Sequence, residues 1–194
     1  MDFVSTLGLA MGASWVSGIN LYATVATLGL LGRFAHLPLP GGLEALTNWW
    51  VIAIALGLYV IEFVADKVPY VDSIWDTVHT FVRVPAGAAL AATAFGDFDR
   101  SVQVIAFLLG GGLAFSSHGT KASTRLAINA SPEPVTNLAA SLTEDVVAVG
   151  STLLAAYFPI ILIIIVVCFV AFSIIILPKI IGVLRRGLIP KCET

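Results

Sequence analysis

Four ionisable residues lie at helical spacing in a segment that is otherwise apolar. They are Asp72, Asp76, His79 and Arg83. At 3.6 residues per turn their side chains fall within about 60° of one another, so they share one face of a predicted helix. A charged side chain at the centre of a bilayer costs about 2.5–3.5 kcal/mol on insertion scales, so the four need an environment lined by protein or water. Ionisable residues inside a membrane mark a functional site by default.

Further polar residues recur in the other apolar segments. The candidate residues of a substrate or ion pathway are Asn20, Glu62, Asp66, Asp72, Asp76, His79, Arg83, His118, Lys121, Arg125, Glu144 and Asp145. An amide at the depth of Asn20 needs hydrogen-bond partners. The stretch Ser17-Gly18-Ile19-Asn20 predicts a break in the first helix that would offer backbone groups to a ligand. For the glycines alone, close helix packing is the favoured explanation.

The composition is that of an integral membrane protein. Of 194 residues, 58% are hydrophobic and 11% are charged, and the mean hydropathy is +0.98. A soluble domain carries about 25% charged residues. The net charge of -2, with no basic face outside the C-terminal tail, excludes nucleic acid as a partner and leaves membrane lipid and a small solute or ion.

Six apolar segments predict an all-α, polytopic membrane protein with about six transmembrane helices. The segments are Leu7–Leu31, Trp49–Ala65, Ile74–Phe95, Val102–Leu126, Leu138–Tyr157 and Ile160–Leu177. Each is near the length of about 20 residues that crosses a bilayer. Residues 1–194 are therefore interpreted as a single integral membrane domain.

Six spans place both termini on one side of the membrane. The C-terminal tail supplies four basic residues, Lys179, Arg185, Arg186 and Lys191. By the positive-inside rule this side is the cytoplasm. We therefore predict a multi-pass protein of the cell inner (plasma) membrane with both termini cytoplasmic.

A weak internal repeat accompanies this count of spans. Glu44-Ala45-Leu46-Thr47-Asn48 precedes the second segment, as Glu133-Pro134-Val135-Thr136-Asn137 precedes the fifth. Two units of three spans, 1–100 and 101–185, would have opposite orientations. That is the 3+3 inverted repeat with broken helices found in many transporters. Chance similarity between apolar stretches explains the likeness equally well.

The predicted topology gathers the ionisable residues in the cytoplasmic half of the membrane. It favours a small transporter or channel that moves an ion or a small, anionic solute through a polar vestibule there. Arg83, Lys121 and Arg125 would attract the anion. The carboxylates would balance charge or relay protons, with His79 or His118 as titrating partners. Because six short spans enclose little volume, a homo-oligomer is expected.

Two alternatives stay open. The first is an inner-leaflet lipid-headgroup-binding protein or enzyme, in which Lys121 and Arg125 would hold a phosphate. The second is a structural membrane assembly factor, whose charges are interhelical counterions such as Arg83 with Glu144 or Lys121 with Asp76. Paired charge swaps separate these roles, since a transport site should not tolerate them.

Signatures of catalysis are lacking in the sequence. It contains no H-E-x-x-H, Walker-A or G-x-S-x-G motif. We therefore predict no enzyme, no catalytic residue and no cofactor. The histidines and carboxylates lack a tight metal-ligand spacing, so a metal is neither predicted nor excluded.

Three stretches carry a resemblance to a known family. They are Ser17-Gly18-Ile19-Asn20-Leu21-Tyr22, the run from Glu62 through Pro69 to Asp72, and Ser117-His118-Gly119-Thr120-Lys121. With these stretches the chain resembles a bacterial family of integral membrane proteins, domain of unknown function 4126, up to about Pro159. The resemblance implies a membrane protein and supplies no activity.

Overall fold

The computed structural model describes residues 2–68, 70–129 and 134–188. In these ranges the chain is helical and contains no strand. The helices are α1 (Phe3–Phe34), α2 (Trp49–Ala65), α3 (Val71–Ala94), α4 (Arg100–Asn129), α5 (Pro134–Tyr157) and α6 (Pro159–Leu188), with a 3-10 helix at Gly41–Thr47. The predicted all-helical class is confirmed, and the bounds of α2 agree with the prediction.

Several of these helices are long and apolar enough to cross a membrane. In the described ranges three qualify by length and composition: α1, α4 and the Val135–Tyr157 part of α5. The 3-10 helix and α2 meet at a bend of 72° and together would make a fourth. The described apolar part of α6, Pro159–Ile175, is shorter. The protein is a helical membrane protein, and six full spans stay a prediction.

The burial pattern is inverted relative to a water-soluble protein. Phe81 and Trp50 are 82% and 78% exposed, whereas Arg83, Arg125 and Glu62 are fully buried. Charged side chains are almost never fully buried in soluble domains unless they are paired. The outer faces of the helices are therefore suited to lipid, and the polar groups are enclosed by the bundle.

α1 is the central helix and it is broken. It packs against each of the other five α-helices. Asn20 leaves the helical conformation, with φ -149° and ψ 98°. Its side-chain Oδ1 accepts a hydrogen bond from the backbone N–H of Ala23 at 2.9 Å, which is the N-cap of a new helical segment. The predicted break is confirmed, and Asn20 ends one half of α1 and begins the next.

The first half of α1 descends from the end of the bundle where α3 finishes. The rings of Phe3 and Phe95 are 6.0 Å apart. Ser14 Oγ donates to the backbone oxygen of Gly87 at 2.8 Å. Phe3 thus lies beside Phe95, and the later residue Ser14 lies beside the earlier residue Gly87. The first half of α1 and α3 are therefore antiparallel.

The second half of α1 returns toward the same end. Val25 lines a cavity that it shares with Thr93, and Gly29 lies against Ile52 near the start of α2. A straight helix of 32 residues would be about 48 Å long, and its last turn would lie far from the end of α3. We conclude that α1 is a helical hairpin with Asn20 at its tip.

The chain after this hairpin agrees with the reversal. Gly41 contacts Thr93 and Gly96 at the end of α3. Its φ of +55° is one that glycine adopts without a steric penalty. The segment between α1 and α2 therefore lies at the same end of the bundle as Phe3.

This reversal leaves two sequence predictions unconfirmed. A first span that crosses fully was the basis for placing both termini on one side, and the hairpin removes that basis. It also makes α1 and α4 begin at the same end, so the packing does not reproduce the opposite orientations predicted for 1–100 and 101–185. The physical reason is the break at Asn20, which turns the chain back. Lys191, one of the residues used for orientation, lies outside the described residues.

The hairpin predicts which sites share a side of the membrane. The probes are single cysteines, Asp2→Cys, Glu44→Cys, Asp97→Cys and Val135→Cys, in a background with Cys168→Ser and Cys192→Ser. All four positions are exposed. A membrane-impermeant maleimide is expected to label the first three from one side and Val135→Cys from the other. Labelling of Asp2→Cys from the same side as Val135→Cys would contradict the hairpin and indicate a straight first span.

Candidate functional site

Eight charged side chains meet at the end of the bundle opposite Phe3. They are Glu62 and Asp66 at the end of α2, Asp72, Asp76 and Arg83 on α3, Lys121 and Arg125 on α4, and Glu144 on α5. We call these eight residues the charge cluster. Its side chains are at most 4% exposed, apart from Glu144 at 16%. The structure thus brings together these eight of the predicted site residues.

Arg83 links α3 to α2. Its Nη2 donates to Glu62 Oε1 at 2.6 Å and its Nη1 to Asp76 Oδ1 at 2.8 Å. Asp76 lies two turns before Arg83 on the same helix, as the sequence stripe predicts. Arg83 is fully buried, so both of its bonds are charge-assisted bonds in a site from which solvent is excluded.

Lys121 is shared among four carboxylates. Its Nζ lies 2.9 Å from Asp66, 3.3 Å from Glu144, and 3.5 Å from both Glu62 and Asp76. It also donates to the backbone oxygen of Ile19 at 3.2 Å. That oxygen belongs to the last turn of the first half of α1, where a helix carries partial negative charge. Lys121 therefore joins the cluster to the break in α1.

Arg125 joins α4 to α5. Its Nε and Nη2 donate to the two carboxylate oxygens of Glu144 at 3.0 and 2.7 Å, a bidentate pair. Its Nη1 donates to Asn137 Oδ1 at 2.7 Å. Asp66 and Asp72 each lie 3.7 Å from the guanidinium.

These contacts settle the two counterion pairs predicted from the sequence. The pair of Lys121 and Asp76 is confirmed at 3.5 Å. The pair of Arg83 and Glu144 is wrong, since Arg83 binds Glu62 and Asp76 whereas Glu144 binds Arg125 and Lys121. The reason is that α3 and α4 run antiparallel, which leaves Arg83 at the level of His118 and puts Arg125 beside α5.

The cluster holds more acid than base. Five carboxylates and three cations give it a formal excess of two negative charges. In the described part of the chain, four of its buried oxygens accept no hydrogen bond: Glu62 Oε2, Asp66 Oδ1, Asp72 Oδ2 and Asp76 Oδ2. A buried polar atom without a partner is costly, so these oxygens, together with the unpaired Nε of Arg83, are the unsatisfied part of the cluster.

His118 lies between the cluster and the break in α1. Its Nδ1 is 3.1 Å from Arg83 Nη1 and 3.3 Å from the backbone oxygen of Gly18, and its Nε2 is 2.7 Å from Thr80 Oγ1. Arginine can only donate, so a bond to Arg83 needs a lone pair on Nδ1. A hydrogen on Nδ1 would instead be donated to Gly18. Whether Nδ1 carries a hydrogen therefore selects the partner of His118.

His79 lies apart from the cluster. Its Nε2 bonds to the hydroxyl of Tyr22 at 3.0 Å and its Nδ1 to the backbone oxygen of Trp75 at 2.8 Å. The ring also stacks on Trp75 at 4.2 Å. His79 thus connects α3 to the second half of α1 rather than to a carboxylate.

Asp145 meets the tip of the hairpin. Its Oδ1 accepts a hydrogen bond from Asn20 Nδ2 at 3.2 Å. It is buried to 9% exposure and its Oδ2 accepts no hydrogen bond from the described residues. Asp145 follows Glu144 in the sequence but points toward a different partner, which helix periodicity requires of neighbours.

Asn129 is a contributor that was not among the predicted site residues. Its Nδ2 donates to Asp72 Oδ1 at 2.8 Å and to Ser73 Oγ at 2.9 Å. The signal was present in the sequence, because Asn129 lies one turn beyond Arg125 and extends the same face of α4.

Across the described ranges, no group of three or more histidine, cysteine, aspartate or glutamate side chains is arranged to hold a metal ion.

A family model described as a domain of unknown function, DUF4126, matches residues 7–179. The chain belongs to the DUF4126 family. The match extends beyond Pro159, where the resemblance was expected to end. No curated protein and no solved structure matches the chain.

In this DUF4126 chain a cavity of about 290 Å³ leads from the surface to the cluster. It lies between α4 and α5, and Lys121 and Glu144 form part of its lining together with Trp15, Ile19 and Phe169. The polar vestibule predicted from the sequence stays a prediction. Ion pairs between cluster residues link the helices. Glu144 is the most exposed member of the charge cluster.

Proposed function

We propose that the protein is a membrane transporter or channel for an ion or a small solute, with its pathway passing the tip of the α1 hairpin and the charge cluster. The observation that carries this proposal is the break at Asn20 inside the bundle, against a buried cluster. Discontinuous helices expose backbone oxygens at mid-depth, and transporters use them to build ion sites. Here the oxygens of Gly18 and Ile19 face His118 and Lys121.

A purely adhesive role explains the cluster less well. Polar contacts between membrane helices contribute about 1 kcal/mol or less each, while every buried charge is costly to insert. Adhesion also needs no excess of carboxylates, and four carboxylate oxygens of the cluster accept no hydrogen bond in the described residues. Such oxygens weaken a structural network. They suit a site that must accept and release an ion.

The charge balance favours a cation over the anion predicted from the sequence. Arg83, Lys121 and Arg125 each lie within 4 Å of at least two carboxylates. Their positive charge is already compensated, so it offers little attraction to an anion or to a lipid phosphate. The lipid-headgroup alternative is weakened for the same reason, because its phosphate would have to bind cations that carboxylates already compensate.

A structural assembly factor is the second candidate. The observation in its favour is that the cluster ties α2, α3, α4 and α5 together through ion pairs. This role is compatible with a folded protein that moves no solute at all. The two candidates therefore separate on flux.

The test compares Asn20→Ala with Asn48→Ala in proteoliposomes. Both residues cap helices, since Asn20 accepts from Ala23 N and Asn48 accepts from Trp50 N. Each variant should lose about 1 kcal/mol of stability with its cap. Of these two asparagines, Asn20 is the one that also bonds to Asp145. Loss of that charge-assisted bond, about 1.5 kcal/mol, corresponds to a flux about tenfold lower in Asn20→Ala.

The measurement uses K⁺, Na⁺, Cl⁻ and H⁺ gradients across vesicles, each read with an ion-sensitive dye. We expect the wild type and Asn48→Ala to move at least one of these ions at similar rates. A wild type that is folded in the bilayer and moves none of them would refute transport of these ions and favour the structural role. Equal flux in the two variants would show that Asn20 is not part of the pathway.

A further inference from the structure

We propose that the ion exchanged in this pathway is a proton, and that Asp145 is the carboxyl that carries it at the tip of the α1 hairpin. The proposal rests on the proposed function and names its ion. It starts from a contrast between neighbours on α5. Glu144 has a bidentate arginine partner, whereas Asp145 has no lysine or arginine within 4 Å in the described part of the chain.

The hydrogen bonds of Asn20 fix the geometry at Asp145. Asn20 Oδ1 is occupied by the backbone N–H of Ala23, so its Nδ2 must be the atom that faces α5. That amide donates to Asp145 Oδ1. Asp145 Oδ2 accepts nothing from the described residues and is buried. A neutral acid places its hydroxyl at Oδ2 and keeps the bond from Asn20. A carboxylate has only two neutral donors among the described residues, the amide of Asn20 and the hydroxyl of Tyr59, to set against a full negative charge.

The charges around Asp145 largely cancel. Lys67 and Asp66 approach it from the end of α2, Lys121 from α4 and Glu144 from its own helix, together with the hydroxyl of Tyr59 on α2. Lys67 is itself held by the backbone oxygen of Phe63 at 2.9 Å and lies over the Phe63 ring. Lys67 acts on both Asp145 and Asp66, so no cation is dedicated to Asp145, whereas a bound proton neutralises it directly.

The ligand set also selects a proton among cations. Asp145 and Asn20 offer one carboxylate and one amide, while Ca²⁺ takes about six to eight oxygen ligands. A proton needs one oxygen. Binding forms an O–H bond at Oδ2 with a proton taken from water, and release returns that proton to water. Each event changes the charge at the point where the two halves of α1 meet.

The direct test is infrared difference spectroscopy of the wild type and Asp145→Asn, each reconstituted in lipid and titrated with acid. The asparagine keeps an oxygen acceptor for Asn20, so the fold should survive. Asp97→Asn is the matched control, because Asp97 is exposed between α3 and α4. We expect a carbonyl band of a protonated carboxyl, titrating with pH, in the wild type and the control and its loss in Asp145→Asn. An identical band in Asp145→Asn, or no titrating band in the wild type, would overturn the proposal.

Flux separates this proposal from the proposed function. Wild-type vesicles and Asp97→Asn vesicles should collapse an imposed pH gradient, and Asp145→Asn should do so about tenfold more slowly, a change of about 1.4 kcal/mol. A wild type that passes K⁺, Na⁺ or Cl⁻ but no protons would refute the proton as the transported ion and would leave the proposed transport function intact. A wild type that passes none of the four ions would overturn both.

Discussion

Replacing Arg83 with methionine is expected to lower the free energy of unfolding by about 3–5 kcal/mol, the loss seen when one partner of a buried ion pair is removed. Arg83 compensates Glu62 and Asp76 at 2.6 and 2.8 Å, and all three side chains are 0–2% exposed. Without it, the excess of negative charge in the cluster rises by one, and two carboxylates lose their strongest donor. Denaturant unfolding in mixed micelles measures the change.

Two variants control this expectation. Arg33→Met removes an exposed arginine that binds the backbone oxygen of Thr47 and lies 4.5 Å above the Trp49 ring, so it should lose about 0.5–1 kcal/mol. The triple variant Arg83→Met/Glu62→Gln/Asp76→Asn removes the uncompensated charges and should recover most of the stability. Equal losses in Arg83→Met and Arg33→Met would contradict the ion-pair network described above.

The triple variant also separates adhesion from transport. If the cluster only holds the helices together, neutral partners that restore the stability also restore the flux. If it lines an ion pathway, the triple variant is stable and its flux stays low. Stability and flux are therefore measured on the same preparation.

Gly18→Ala is expected to lower the free energy of unfolding by about 1–3 kcal/mol, the usual effect of overpacking. A methyl group at Gly18 would overlap the backbone oxygen of Ala114 and the hydroxyl of Ser117. That hydroxyl donates to the backbone oxygen of Trp15 at 2.6 Å, so the first half of α1 and α4 are in direct contact there. The methyl group must push the two helices apart beside His118 and the break. Thermal unfolding in lipid micelles reads the loss.

Gly119→Ala is the matched control on α4. A methyl group there has no atom within 4 Å. Alanine favours a helix over glycine by about 1 kcal/mol, so this variant should be neutral or more stable than the wild type. We thus expect Gly18→Ala to lower the free energy of unfolding, whereas Gly119→Ala leaves it unchanged or raises it. A destabilised Gly119→Ala, or a neutral Gly18→Ala, would show that the helices are packed differently from the arrangement described here.

Part of the fold and of the site could be predicted because it depends on local spacing. Asp72, Asp76 and Arg83 share a face of α3 through helix periodicity alone, and all three enter the cluster. Asn20 was predicted at a break because small and polar residues surround it. Asn129 extends the face of Arg125 in the same way and was within reach of the same reasoning.

Other features depend on how helices lie against one another, which spacing does not record. The reversal of α1 brings Val25 back to the cavity that Thr93 also lines, and no run of residues in α1 encodes that placement. Arg83 was expected to face Glu144, but the register of α3 against α4 gives Arg83 to Glu62 and Glu144 to Arg125. A register error of one or two turns is enough to change every partner.

By itself, the sequence determined that this is a helical membrane protein and that charged residues share helix faces inside it, and it pointed to a break in the first helix at Asn20. Those properties follow from hydropathy, periodicity and local backbone preference. Only the tertiary structure decided that α1 turns back, which cation compensates which carboxylate, and that Asp145 meets Asn20 without a cation of its own. Those outcomes depend on distances between helices, and such distances are set by packing across the whole bundle.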